Sequence, residues 1–409
     1  MADPYTGVVD SGTDSAFAGN LPVYYKRKTE ALMKAARGLS AKIDLEPFPT
    51  RSGTTATFAK IMELPDNTTP LTQGENPAAR QIVTGSFTAA IAQFGDVVAP
   101  SDLAELTTIE GIKRIPLIVA NQGRNSVESY FAQNTVKWLM PVSADANVSS
   151  DIYGDYAATA DGAANGTTIV ASDFASADNT YRYGIVTITS QTHKDFGRSR
   201  EVTSSTAVGT LLNFTTAWSA QITTGTTFRY GLNTGMSSDG TDKITLATFR
   251  MAAMLLRKNG AWGDEFEVEG GGYNAVWDAE LEHDIQLDTT LINLFIYKEK
   301  ESGLRDYKPG MLMMMKPTLT HRPFRSAVGT PLVYSATGSV HHVAVFGRNA
   351  MAKLPLAKND IEVIVKSKES GGVSNPLEMY STLGWKYTTA VTYKNACAGA
   401  QIWCDVSTS

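Results

Sequence analysis

The chain has 409 residues, 43% of them hydrophobic and 19% charged, which is the composition of a globular protein and excludes an intrinsically disordered one. A chain of this length predicts two or three domains. The net charge of −5 gives no overall sign of nucleic-acid binding, and no apolar run approaches the roughly 20 residues that a membrane-spanning helix needs.

The N-terminal region changes character at residue 21. Residues 1–20 are small and polar and lack the apolar core of a secretory signal, so we expect an arm without fixed structure on a protein that stays in the cytoplasm, unless it leaves inside a particle. Residues 21–42 predict a helix that ends near Gly38. This segment contains one acidic residue, Glu30, and six basic residues: Lys26, Arg27, Lys28, Lys34, Arg37 and Lys42. Two interpretations stay open, a solvated helix face and a basic arm that meets DNA or an acidic partner.

The stretch from Thr55 to Leu106 predicts a two-stranded ribbon. Two extended runs, Thr57–Leu64 and Gln81–Val98, flank a turn cluster at Pro65–Pro77 that holds three prolines and one glycine. Several apolar side chains of this stretch have no obvious local core: Phe58, Ile61, Ile82, Phe87, Ile91 and Phe94. Because an isolated ribbon is only marginally stable in water, we expect it to lie on another surface, with a neighbouring subunit as the natural candidate.

Two helices are predicted after the ribbon. Ser101 or Asp102 caps a short helix that continues to Leu106. A longer helix is predicted over Pro116–Met140, because proline suits the first turn of a helix. Its buried stripe has helical spacing and consists of Val127, Phe131, Thr135 and Trp138.

The segment from Pro141 to Gly240 is rich in Ser, Thr, Ala, Gly and Asp. It predicts the short strands of a small β-barrel or sandwich at Tyr183–Thr189, Ser199–Ser204, Thr210–Phe214 and Thr226–Tyr230. Its first part, Pro141–Tyr181, carries six aspartates and no lysine or arginine. This charge favours an inserted domain that faces solvent, and a longer loop tucked between subunits is the alternative.

The last part of the chain predicts a helix over Thr245–Asn259, with Leu246, Phe249, Ala253 and Leu256 on one face. The triplet Gly270–Gly272 is interpreted as a turn before a second helix around Asn274–Asp288. Cys397 and Cys404, seven residues apart, would point to opposite faces of a strand, so we expect buried thiols and no disulfide. Strands are predicted at Glu362–Val365, Tyr387–Tyr393 and Gln401–Asp405.

Recognisable catalytic motifs are absent from the sequence, which has no GxSxG nucleophile elbow, no HExxH and no P-loop. Glu280 and His283 lie three residues apart, as in di-iron bundles, but no second copy exists, so a solvated helix face or a local ion pair is the better interpretation. His341 and His342 alternate between the faces of a strand and do not converge on one ion. We therefore predict neither an enzyme nor a cofactor or metal, although a site assembled from distant residues stays open.

Sequence blocks along most of the chain carry a resemblance to a known family. The blocks are Phe58–Lys60, Leu64–Pro65, Thr69–Thr72, Gly74–Pro77, Gln93–Val98, Ser101–Leu103, Val345–Ala350, Asn375–Leu377 and Thr382–Lys386. On these blocks the chain resembles the major capsid proteins of tailed phages, specifically the phage N-four coat family. One departure is Gln73, where the family usually has an acidic residue before the glycine.

The resemblance implies an α+β chain with the Hong Kong 97-type coat fold and an inserted small β-domain. Its expected segments are 1–47 (N-terminal arm with the basic helix), 48–100 (extended loop), 101–140 (spine helix region of the peripheral domain), 141–240 (inserted β-rich domain), 241–270 (peripheral-domain helix), 271–345 (axial domain) and 346–409 (return to the peripheral and axial sheet). The spine helix is the one predicted over Pro116–Met140.

The resemblance also implies a function, that of a major capsid protein that self-assembles into the icosahedral head shell around phage DNA. Copies would form hexamers and pentamers and contact packaged double-stranded DNA non-specifically. Portal, scaffold and decoration proteins are further candidate partners, and no membrane is involved. Assembly is expected in the bacterial host cytoplasm, with the virion as the final location. A β-rich surface protein, fibre or adhesin is the alternative, which would explain the Ser/Thr-rich middle but neither the basic helix nor the spine helix.

Two groups of residues would carry this function. The intersubunit extended loop consists of Phe58, Ile61, Leu64, Pro65, Pro70, Gly74, Glu75, Asn76, Pro77 and Phe94. The lumenal basic arm consists of Lys26, Arg27, Lys28, Lys34 and Arg37. No catalytic, cofactor-binding or metal-binding residue is expected.

Overall fold

The computed structural model of this chain describes residues 26–27, 29, 31, 38–47, 53–61, 70, 82, 84–99, 109–143, 153–174, 177–207, 210–232, 242–258, 272–289, 315–320, 324–327, 330–334, 338–356, 361–366 and 382–406. Within these residues the fold is mixed α+β with few helices and many strands, as the sequence predicts. No helix among them is long and apolar enough to cross a lipid bilayer.

The helices and strands with described bounds are as follows. The helices are α1 (Ile109–Asn134), α2 (Leu246–Lys258) and α3 (Ala279–Leu287). The strands are β1 (Asp44–Leu45), β2 (Thr55–Ile61), β3 (Thr84–Val98), β4 (Met140–Ser143), β5 (Tyr153–Ala157), β6 (Thr168–Val170), β7 (Ile185–Ile188), β8 (Ser199–Glu201), β9 (Ser204–Thr206), β10 (Leu211–Asn213), β11 (Thr227–Gly231), β12 (Tyr273–Trp277), β13 (Met315–Leu319), β14 (Arg325–Ser326), β15 (Val340–Phe346), β16 (Met351–Pro355), β17 (Ile361–Lys366), β18 (Thr382–Tyr393) and β19 (Gly399–Cys404). Short 3-10 turns lie at Leu39–Ala41, Val136–Trp138, Ser172–Phe174 and Ala396–Ala398.

The chain divides into two compact units. The first unit comprises residues 1–37, 91–128 and 354–390, and the second comprises residues 38–90, 129–353 and 391–409. In the first unit, the second part of β3 pairs antiparallel with β18, and β17 pairs with β18 on its other edge. Trp385 and Tyr387 are buried on one face of this sheet, whereas Val97 and Ile364 are exposed on the other. The two-residue alternation of strands therefore leaves this sheet with a single core face.

Helix α1 begins earlier than the sequence predicts. It starts at Ile109 rather than at Pro116, and Pro116 lies inside it. The prediction was wrong because a proline in a helix costs a backbone hydrogen bond without always ending the helix, and the seven preceding residues contain no other proline. The short helix predicted from Ser101 to Leu106 lies outside the described residues.

Helix α1 also ends earlier than predicted, at Asn134 instead of Met140. After its last turn, Thr135 Oγ1 donates a hydrogen bond of 2.6 Å to the Phe131 carbonyl. Leu139 then takes an extended backbone with φ −71° and ψ 160°, and Met140 starts β4. In the predicted stripe, Val127, Phe131 and Thr135 are buried and Trp138 is half-buried, so the helical spacing located the core side of this helix correctly.

The second unit contains a central sheet with the strand order β13-β12-β15-β19-β4, and β14 pairs with β15. Every residue of β12, β15 and β19 is buried, which is expected of strands covered on both faces. Helix α2 packs on this sheet through the predicted residues Leu246, Phe249 and Leu256, and the rings of Phe249 and Trp277 lie 5.6 Å apart. The core of the unit therefore sits between α2 and the sheet.

The helix predicted around Asn274–Asp288 is a strand in its first part. Residues 273–277 form β12, and α3 starts only after Asp278, whose side chain accepts a hydrogen bond of 3.0 Å from the Leu281 N–H. The five residues of β12 pair with both β13 and β15, so sheet pairing replaces the helix there. The two cysteines are free and buried, as predicted, but Cys397 lies in the Ala396–Ala398 turn and not on a strand.

Residues 153–232 form the β-rich insert, with a four-stranded sheet β5-β11-β7-β8 and a three-stranded sheet β6-β10-β9. The sequence predicted strands near β7 and β10–β11, and it joined β8 and β9 into one. It missed β5, in which glycine and aspartate interrupt two tyrosines, and β6, whose three residues Thr-Ile-Val favour a strand but are too few to form an alternating pattern. The two sheets enclose an aromatic core of Tyr156, Phe174, Tyr181, Phe228 and Tyr230.

Polar contacts join the insert to the end of α1 and the start of β4 within the second unit. Arg229 Nε donates to the Pro141 carbonyl at 2.9 Å, and Ser199 Oγ donates to the Trp138 carbonyl at 2.7 Å. Lys137 and Glu201 form an ion pair of 2.9 Å. Residues 140–143 themselves pair with β19 in the central sheet, so the insert's own strands begin at β5.

Candidate assembly surface

The predicted ribbon exists in the second unit, where β2 pairs antiparallel with the first part of β3 from Thr55–Ala90 to Ile61–Thr84. One face carries Ala56 and Ala89, which are buried, followed by Phe58 and Phe87, which are half-buried. The rings of Phe58 and Phe87 stack with their centroids 5.0 Å apart and their planes 12° from parallel. Each phenylalanine ring therefore buries part of the apolar surface of the other.

The opposite face of the ribbon is exposed and made of small side chains. It carries Thr55, Thr57, Ala59, Ser86, Thr88 and Ala90. Strand β2 is also the last strand on its side of the sheet among the described residues. A flat face of small residues next to a strand edge with unpaired backbone groups is the kind of surface on which another protein chain can lie.

Phe94 differs from the prediction. We expected it to lack local partners, but within the first unit its ring lies 6.0 Å from that of Trp385 and 5.2 Å from that of Tyr387. The partners come from β18, almost three hundred residues further along the chain, so no local pattern could indicate them. Phe94 is half-buried and has aromatic partners in the first unit, and its place between subunits stays a prediction.

The other predicted loop residues are only partly described. Ile61 ends β2, and Pro70 is exposed. Six of them lie outside the described residues, namely Leu64, Pro65, Gly74, Glu75, Asn76 and Pro77. In the predicted basic arm, Lys26 and Arg27 are helical and exposed, whereas Lys28, Lys34 and Arg37 lie outside the described residues.

A buried charge network that the sequence did not reveal lies at the start of α3. His341 Nδ1 donates to Asp278 Oδ2 at 2.8 Å, and the His341 ring also lies 3.6 Å from Glu280 Oε2. Arg325 contacts Glu280 and lies 3.7 Å from Asp278. The sequence paired Glu280 with His283, but His283 is exposed and lies 3.7 Å from Asp284. The signal that could have been used is the helix cap at Asp278, which places a carboxylate beside β15.

The electrostatics of this network follow from its burial and its partners. Burial alone raises the pKa of the Asp278 carboxyl, but the hydrogen bond and charge of His341, the Leu281 N–H and the Arg325 guanidinium outweigh it and hold that pKa below its ordinary value. Asp278 therefore stays ionised in the folded chain and stabilises it above the ordinary carboxyl pKa of about 4.

We expect Asp278→Asn to lower the free energy of unfolding at pH 7 by about 2 kcal/mol, because asparagine keeps the helix cap but removes the charge from the buried pair. Since the folded-state pKa of Asp278 is depressed, this contribution is full above the unfolded pKa and is lost as the pH falls through the folded pKa. Urea unfolding of both chains from pH 7 down to pH 3 should show the difference shrinking. Glu280→Gln, at a half-exposed position, is the control and should cost less than about 1 kcal/mol; an equal cost for the two variants would contradict the assignment.

His342 points away from His341 into a second buried network, as the alternation of strand faces predicts. Its Nδ1–H donates to the Gln401 amide oxygen at 2.6 Å, with that amide oriented so that it also accepts from Tyr334 and Trp403. Its Nε2 accepts from Ser326 Oγ at 2.7 Å. Burial and the neighbouring His341 hold the pKa of His342 well below its usual value, so the ring is neutral. Ser326 is completely buried, and the contact is therefore structural.

Within the described ranges, no group of three or more His, Cys, Asp or Glu side chains is arranged to hold a metal ion. The buried histidines His341 and His342 of the second unit are instead paired with protein side chains. The small-residue face of the ribbon is an outward-facing feature of the described chain on which another chain could lie.

The fold of this chain is similar to those of several solved structures. No protein-family model and no curated protein matches the chain. The capsid of the cyanophage P-SCSP1u is 11% identical, with 91% of this chain and 90% of that chain covered at a TM-score of 0.49. The capsid of the Helicobacter pylori bacteriophage KHP30 is 10% identical over 88% and 87% with a TM-score of 0.47, and that of Ralstonia phage GP4 is 11% identical over 92% of both chains with a TM-score of 0.44. All three of these structures are phage capsids.

Proposed function

We propose that this chain is the major capsid protein of a tailed phage, with the Hong Kong 97-type coat fold, and that its function is assembly of the head shell. The observation that carries the proposal is the ribbon of β2 and β3, whose outer face of small residues is exposed and whose β2 edge is the last of its sheet in the described chain. The long helix α1, a β-insert and a largely buried sheet follow the ribbon. This order is the one implied by the sequence resemblance.

Assembly would proceed by burial of surface that one copy cannot cover alone. A neighbouring copy lying against the ribbon face would remove the threonine methyl groups and alanine side chains from water and give partners to the β2 backbone. Because the ribbon and the surface that receives it are different parts of the same chain, the contact is head-to-tail. Head-to-tail contacts close into rings, and rings of six and five copies build an icosahedral shell.

The remaining partners follow from charge and from the shell geometry. Lys26 and Arg27, exposed on helical backbone, support an arm that faces packaged double-stranded DNA together with Lys28, Lys34 and Arg37. The contact would be electrostatic and independent of base sequence. Portal, scaffold and decoration proteins would meet the same shell, which assembles in the host cytoplasm and ends in the virion.

Electron microscopy of the purified full-length chain tests the proposal. We expect closed shells, or rings of six and five copies, because the ribbon contact repeats around an axis. Elongated fibres would instead favour the β-rich fibre or adhesin alternative. Small discrete particles at all protein concentrations would contradict an assembly function, and the sedimentation coefficient of the same sample measures which of these forms dominates.

The insert is expected to face the outside of the shell. Three of its aspartates, Asp161, Asp173 and Asp178, are exposed, and like charge would repel packed DNA phosphates over a screening length of about 8 Å at physiological salt. A peptide tag between Ala164 and Asn165, both exposed, should bind its antibody on intact DNA-filled particles. The tag should not replace Gly166, which has φ +70° and lies against the Trp218 backbone. Binding seen only after the particles are broken would mean that the insert faces inward.

A further inference from the structure

A cavity of about 180 Å³ lies within the second unit, beside the first part of β3. Three chain segments form its walls: residues 85–88 of β3, residues 194–200 ahead of and within β8, and residues 392–394 at the end of β18. Four of the lining side chains are cationic, namely Lys194, Arg198, Arg200 and Lys394, and no acidic side chain lines the cavity. Residues 85–88 border the cavity as a strand, and the exposed side chains of Ser86 and Thr88 alternate with that of Phe87 along it.

Two of the four cations are already paired with acids. Arg198 lies 3.4 Å from Asp195 Oδ1 and donates to Ser219 Oγ at 2.8 Å. Lys394 contacts Glu46 and also donates to Asn349 Oδ1 at 3.1 Å. These two side chains are therefore fixed in place at the rim of the cavity with their charges largely balanced.

The other two cations have no acidic partner among the described residues. Lys194 is exposed at the cavity, and the Arg200 guanidinium lies 5.5 Å from the ring of Trp218. Arg200 Nε is buried and has no hydrogen-bond acceptor in the described part of the chain. A buried charged donor without an acceptor is unfavourable, so the cavity has two uncompensated positive charges and one donor that needs an oxygen atom.

We propose that this cavity is a binding site for an oxyanion of the phosphate class. Two surplus positive charges match a dianion, and the arginine fork matches phosphate oxygens. The cationic donors come from two separate chain segments, residues 194–200 and Lys394, which suits the four oxygens of a tetrahedral anion better than the two coplanar oxygens of a carboxylate. The phosphate could be free inorganic phosphate or a phosphodiester of nucleic acid, since both present the same oxygens.

Calorimetric titration of the unassembled full-length chain with inorganic phosphate, at constant ionic strength, tests the site without depending on shell formation. We expect saturable binding of one phosphate per chain. Arg200→Gln and Lys194→Gln should each weaken it about tenfold, since each removes a charge-assisted contact. Lys194 is exposed, so its variant keeps the test valid should Arg200→Gln fold poorly. The matched control is Arg250→Gln, which removes an exposed arginine of α2 outside the cavity and should leave the affinity unchanged.

Absence of saturable binding, or equal weakening by the control, overturns the proposal. Acetate or glutarate binding as tightly as phosphate also overturns it, and would identify a carboxylate of a second copy as the occupant. Competition by a short oligodeoxythymidine identifies the source of the phosphate: displacement supports a phosphodiester, and lack of displacement supports free phosphate. Both of these results retain the oxyanion site.

Discussion

A chain that lacks residues 65–76 is expected to fold and stay soluble but to form no closed shells. The deletion removes the turn cluster at the end of the ribbon and leaves the β2–β3 pairing from Thr55–Ala90 to Ile61–Thr84 in place. Ten linking residues remain between Ile61 and Thr84, three at 62–64 and seven at 77–83, which suffice for a hairpin connection. The core of each unit lies elsewhere, so only the contact to a neighbouring copy should be lost.

Two measurements separate folding from assembly in this experiment. Thermal unfolding followed by circular dichroism should show a midpoint within a few degrees of that of the intact chain, and electron microscopy should show no shells. Replacing the same residues by a Gly/Ser linker of equal length is the matched control, because it keeps the length of the loop and removes its side chains. Shells of normal size from the deleted chain would contradict the assignment of the ribbon as an intersubunit element.

Phe174→Ala is expected to cause the largest loss of stability among single substitutions in the insert, about 4 kcal/mol in the free energy of unfolding. The ring of Phe174 is 1% exposed and lies at the centre of the aromatic core. Its centroid is 4.8 Å from that of Tyr181, 4.9 Å from that of Tyr156 and 5.0 Å from that of Tyr230. Alanine would leave a cavity between the two sheets that these large neighbours cannot fill by small shifts.

The matched control for this prediction is Phe87→Ala. Phe87 is half-buried and its ring contacts are the stack on Phe58 and Lys394 at 5.9 Å, so its removal should cost no more than about 1.5 kcal/mol. Urea unfolding measures both values, and hydrogen exchange should show lost protection concentrated in residues 153–232 for Phe174→Ala. Equal losses for the two variants would show that the aromatic cluster is not the core of the insert.

Local sequence patterns predicted those elements whose environment repeats along the chain. Helix α2 was predicted over Thr245–Asn259 and is observed over Leu246–Lys258, because its apolar stripe recurs at helical spacing. The ribbon strands β2 and β3 were predicted for a similar reason, since turn residues separate two extended runs. The error at β12 has a different cause: Tyr273, Val276 and Trp277 favour a strand, and the predicted helix extended the pattern of α3 too far toward the N-terminus.

Local sequence patterns could not predict side-chain contacts between residues that are distant in the sequence. Phe94 was expected to be covered by a neighbouring subunit, yet its ring contacts those of Trp385 and Tyr387 within the same unit. Glu280 was paired in sequence with His283, yet it meets Arg325 and His341. In each case the true partner lies on a strand that arrives by long-range pairing, which depends on the whole fold rather than on spacing.

The sequence by itself determined the mixed α+β character, the strands β7, β10 and β11, the ribbon and the buried state of both cysteines, because propensity, turn residues and apolar periodicity act over a few neighbouring residues. Only the tertiary structure decided which side chains share a site. It placed Asp278 beside His341 and surrounded one cavity with Lys194, Arg198, Arg200 and Lys394. Charges separated by up to two hundred residues converge there because sheet pairing brings distant segments to one place, and that pairing follows from burial of the whole core.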